Sequence, residues 1–74
     1  MERNPNLKLI GIRRRQGFYQ YEVAEKAGLT AARLSMIENR RIKPRQDEVK
    51  RIAEALKVRE HELFDLVLDV RAGR

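Results

Sequence analysis

Seventy-four residues suffice for one small domain with a modest core, and 42% apolar content set among helix-favouring Ala, Glu, Lys, Arg and Leu suits a compact all-α bundle. The absence of cysteine excludes disulfides and thiolate metal sites, and one histidine cannot build an imidazole cluster. The net charge of +6 divides unevenly: residues 1–45 carry eleven Lys or Arg against four Asp or Glu, and residues 46–70 carry four against seven, so either the basic end is expected as a footprint for phosphates with the acidic end facing away, or the charges only solvate helix faces.

The first helix is expected from about Asn6 to Gln16, with Pro5 near its start, Leu9 and Ile12 inward and Gly17 as its stop. Phe18 then plugs the core. A second helix runs from Gln20 to Ala27, where Val23, Ala24 and Ala27 fall within an arc of about 100° at helical pitch. Gly28 ends it as a left-handed residue, Leu29 points inward, and Thr30 is a good N-cap for a third helix beginning at Ala31. In that helix Leu34 and Ile37 share the inner face, while Ala32, Arg33, Met36 and Arg40 project outward. After a loop over 40–44, a fourth helix from about Gln46 to Leu56 carries the stripe Val49, Ile52, Ala53 and Leu56, with Asp47 and Glu48 at its positive end. A last helix is expected from about Glu60 to Val70. No repeats, linkers or low-complexity tracts interrupt the chain, so residues 1–74 are expected to form a single domain with its core at about 7–64 and a tail at 71–74.

The spaced set formed by Gln20, the Ala24 and Gly28 pair, Ile37-Glu38-Asn39 and the late Leu63-Phe64 resembles the Cro and phage-repressor family of helix-turn-helix domains, over about residues 7 to 64. The resemblance implies a five-helix repressor-like domain that binds double-stranded DNA, the third helix entering the major groove and the second lying across the backbone. It implies that Gln20 anchors a phosphate, although an exposed polar residue at a helix start reads the same way. Tyr19 stands where the family usually has a Ser or Thr cap. Arg13 and Glu38 match the positions of a structural ion pair in the family, which would fix helix orientation.

On the outward face, Arg33 is the first candidate for base readout, because its fork matches guanine O6 and N7; a phosphate contact is the competing reading. Ala31 and Ala32 permit close approach and can touch a thymine methyl, or serve only as helix formers. Met36 stands where the family often has a polar base-reading side chain and offers only dispersion and shape. Asn39, Arg40, Arg41, Lys43 and Arg45 follow as phosphate clamps or as a solvated loop, and Thr30 joins the backbone-contact candidates. Arg40 replaces the Gly common in the family, and a left-handed Arg there bears strain unless Asn39 takes up the turn.

Around the last helix, Leu63, Phe64, Leu66, Val67, Leu68 and Val70 sweep an arc of about 200°, wider than one core contact needs. Either these residues close a small core, or Leu66, Val67 and Val70 form the seam of a homodimer. The expected function is a sequence-specific DNA-binding regulator, a repressor acting as a homodimer on an inverted repeat. An antitoxin that also binds a toxin, or a protein-interaction module with incidental basic charge, are the alternatives. No cofactor is implied, and no carboxylate pair, Ser/His set or phosphate-cradling loop supports an enzyme. With neither an apolar leader nor a stretch of the ~18 to 20 residues that span a bilayer, the chain is expected in the cytoplasm.

Overall fold

The first helix starts where Asn6 can cap it. In the computed structural model of the chain, which describes residues 4–64, the Asn6 side-chain oxygen accepts from Leu9 N at 3.1 Å, and α1 spans Leu7–Arg15. Helices α2 (Gln20–Lys26), α3 (Ala31–Glu38), α4 (Gln46–Leu56) and α5 (Glu60–Leu63) follow, and the described residues include no strand. Thr30 caps α3 as its sequence suggests, its hydroxyl accepting from Arg33 N at 3.0 Å. The starts of α2, α4 and α5 lack a capping side chain on Tyr19, Arg45 and Arg59. There, the glutamate three residues on reaches back to the backbone N–H: Glu22 to Tyr19 at 2.8 Å, Glu48 to Arg45 at 2.8 Å and Glu62 to Arg59 at 3.0 Å.

The first four helices end alike. Gly17, Gly28, Arg40 and Lys57 are left-handed, with φ of 81°, 71°, 57° and 59°. At each, two successive N–H groups close back onto carbonyls of the last turn. Gly28 N reaches Glu25 O at 3.1 Å and Leu29 N reaches Ala24 O at 2.8 Å; Arg40 N reaches Ile37 O at 3.1 Å and Arg41 N reaches Met36 O at 2.9 Å. These reversals turn the chain sharply enough for α2 to pack on both α3 and α4, α1 on α3 and α5, and α4 on α5.

One cluster fills the space between them: Leu9, Val23, Ala24, Ala27, Leu34, Ile37, Ile52, Ala53, Leu56 and Leu63, with Ile12, Phe18, Leu29 and Phe64 packed on its margin. Each Leu or Ile enclosed here contributes roughly 1.5 to 3 kcal/mol relative to exposure. Gln16 ties the end of α1 to α4 by donating from Nε2 to Leu56 O at 2.8 Å.

Within the described residues α5 covers Glu60–Leu63, after which Phe64 is extended (φ −131°, ψ 149°) and lies against the core; the expected continuation to Val70 lies outside the described residues. The Leu63 carbonyl is satisfied from outside the helix, by Asn6 Nδ2 at 2.9 Å. Leu66, Val67 and Val70, with the rest of the expected apolar arc beyond Phe64 and the tail at 71–74, lie outside the described residues.

Candidate nucleic-acid interface

The angle between α2 and α3 is set by a buried polar cluster beneath them. Glu38, 1% exposed, accepts from Arg13 Nε at 2.7 Å and Arg13 Nη2 at 3.2 Å, and from Gln20 Nε2 at 2.8 Å. Arg13 spends its remaining nitrogen on Phe18 O at 2.9 Å. The two ion-pair residues thus lock the ends of α1 and α3 together, and Gln20 binds the start of α2 to the same carboxylate. Gln20 is therefore partly engaged inside the domain. Glu38 also fixes the chain entry, since its carbonyl accepts from Asn6 N at 2.7 Å.

Of the outward face of α3, Ala31, Ala32 and Met36 are exposed. Arg33, on the same face, is engaged within the domain: its Nε and Nη2 each donate to an oxygen of Glu48 at 2.8 Å. Burial explains the preference. Glu48 is 1% exposed, and a desolvated carboxylate requires a matched cation, whereas an arginine on the outside of α3 has only water to lose. The Arg33 fork, helped by the Arg45 backbone N–H, lowers the Glu48 pKa to about 2 against the opposing effect of burial.

Around α3 the candidate backbone contacts divide. Asn39 folds back, donating from Nδ2 to Ser35 O at 2.9 Å, and Arg40 takes up the left-handed turn. Arg40, Arg41 and Lys43 are exposed on the loop that follows, and Thr30 is exposed at the other end of α3. Tyr19 and Tyr21 stack at the start of α2 with centroids 5.8 Å apart, both exposed.

Sequence reasoning missed Asn6 and the Arg33–Glu48 pair. Asn6 is buried and serves three elements, yet only a capping residue ahead of an apolar run marked it. Glu48 carried the signal of a glutamate three residues after an N-cap that cannot cap, but nothing along the chain pointed across fifteen positions to Arg33.

Two short helices joined by a left-handed glycine, with the outer face of the second left open, define a helix-turn-helix domain. The chain belongs to the helix-turn-helix family of DNA-binding domains, of Cro/C1 type: the family model, described as Helix-turn-helix, matches residues 2–63. No curated protein sequence matches the chain. Among solved structures, the restriction-modification controller protein C.AhdI from Aeromonas hydrophila superposes with a TM-score of 0.76 at 24% identity, covering 80% of this chain and 89% of that one. The clp gene regulator ClgR from C. glutamicum gives a TM-score of 0.71 at 19% identity, covering 92% of this chain and 84% of its own. At these identities the likeness is one of fold. Among the described residues no helix is long and apolar enough to cross a membrane.

Proposed function

We propose that the protein is a transcriptional repressor that binds an inverted-repeat operator as a homodimer and acts by occupying promoter DNA. The observation that carries this reading is the rigid presentation of α3: Glu38 gathers Arg13 and Gln20 beneath the motif, while the exposed side from Ala31 to Met36 stays uncovered and cationic residues follow it. In this reading α3 enters the major groove, α2 crosses the backbone, and Gln20, Thr30, Asn39, Arg40, Arg41 and Lys43 meet phosphates. Residues Leu66, Val67 and Val70 form the dimer seam, setting two copies of α3 about one DNA turn apart. That the two structural neighbours are named a controller protein and a gene regulator supports a regulatory role.

Fluorescence anisotropy of a labelled duplex across a salt series tests the reading. Affinity should fall steeply with salt, and Lys43→Ala should flatten the log–log slope by about 1 without altering sequence preference. Absence of duplex binding at low salt would overturn it.

A further inference from the structure

On the outward side of α3, the two long polar side chains, Arg33 and Asn39, are engaged within the domain. Arg33 turns its bidentate edge onto the two oxygens of Glu48, each at 2.8 Å. The Asn39 amide donates to Ser35 O at 2.9 Å and approaches the Ser35 hydroxyl at 3.4 Å. Ala31, Ala32 and Met36 remain outside, and all three are apolar.

We infer that α3 selects its half-site through thymine 5-methyl groups packed against Ala31, Ala32 and Met36, with Arg33 as a positioning residue clamped to Glu48 rather than a reader of guanine. The inference rests on the DNA reading above and specifies its ligand. The chemistry is direct. In the major groove only the thymine methyl distinguishes a base by an apolar contact, and the first residues of a recognition helix are those that reach base edges. Two alanines at the start of α3 keep the helix close to the groove floor, and Met36, little more than one turn on, is long enough to follow a methyl on a neighbouring pair. Withdrawing Arg33 would strip the buried Glu48 carboxylate of its bidentate partner, leaving the Arg45 backbone N–H at 2.8 Å and the Arg45 guanidinium at 3.7 Å, so the apolar face is what the fold itself presents.

The test uses the unaltered protein and duplexes carrying the selected half-site in which single thymines are replaced by deoxyuridine, which removes one methyl and changes no hydrogen bond. Each thymine facing α3 should lose roughly 3- to 5-fold in affinity when so replaced. A paired variant, Arg33→Met with Glu48→Gln, removes both charges together and should leave the selected motif unchanged. Indifference to deoxyuridine throughout the half-site, or loss of a guanine preference in the paired variant, would overturn the inference while leaving DNA reading intact. Failure of every duplex to bind would overturn the DNA reading and this inference with it.

Discussion

Glu48 and Glu38 show how a few buried carboxylates dictate what α3 presents. Glu48 stays ionised in the folded chain down to about pH 2, whereas in the unfolded chain it takes up a proton near its ordinary value of 4.5. On acidification the unfolded chain therefore gains the proton first, and the Glu48 contribution, fully present above about pH 5, drains away as pH falls towards 2. Its size is on the order of 3 kcal/mol. Urea unfolding from pH 6 to 2 should show this acid slope, and Glu48→Gln should flatten it; an unchanged slope would contradict the pairing with Arg33. Glu38 makes a second prediction. Glu38→Gln leaves the Arg13 guanidinium buried without its carboxylate and should cost roughly 3 to 5 kcal/mol in urea unfolding, part of which Arg13→Met in the same chain should restore. Of these residues the Arg13 and Glu38 positions could be read from the sequence, because a recurring family pattern marks them. Arg33 could not: an arginine on an outward helical face has the same periodicity whether it meets a base or a buried acid fifteen positions away.

At the scale of elements, period and punctuation made most of the fold legible. The apolar spacing of Val23, Ala24 and Ala27, and of Val49, Ile52, Ala53 and Leu56, located α2 and α4, and Gly17 and Gly28 marked two of the four left-handed ends. Of the other two ends, Arg40 was marked only by the family's usual Gly at its position, and Lys57 by nothing in the sequence. Each bears strain of about 1 to 2 kcal/mol that glycine would relieve, partly offset by the greater freedom of glycine in the unfolded chain. Lys57→Gly should therefore raise stability by up to about 1 kcal/mol with DNA affinity unchanged. Arg40→Gly should stabilise by a similar amount yet weaken duplex binding, since it also removes a cation beside α3. Denaturant midpoints and anisotropy on both variants separate the two effects. The extended backbone at Phe64 had no signal in the apolar pattern, because Phe64 continues that pattern, and Asn6 of a distant segment takes the Leu63 carbonyl.

At the scale of the whole molecule, charge falls unevenly on the fold. The excess of cations over residues 1–45 lies on α1 and on the loop after α3, while α2 and α3 carry as many acids as bases or more, and α4 and α5 carry an acidic excess. This segregation was visible in the sequence, as was the all-α class, because both depend on local composition rather than on long-range contacts. The most direct test of a dimeric domain reading duplex DNA through α3 is selection of a random double-stranded library by the purified protein at two salt concentrations, with the bound pool sequenced. Enrichment of inverted half-sites about one helical turn apart, with retention falling as salt rises, is the predicted result. A pool without any shared motif, or no retained DNA even at low salt, would contradict the account.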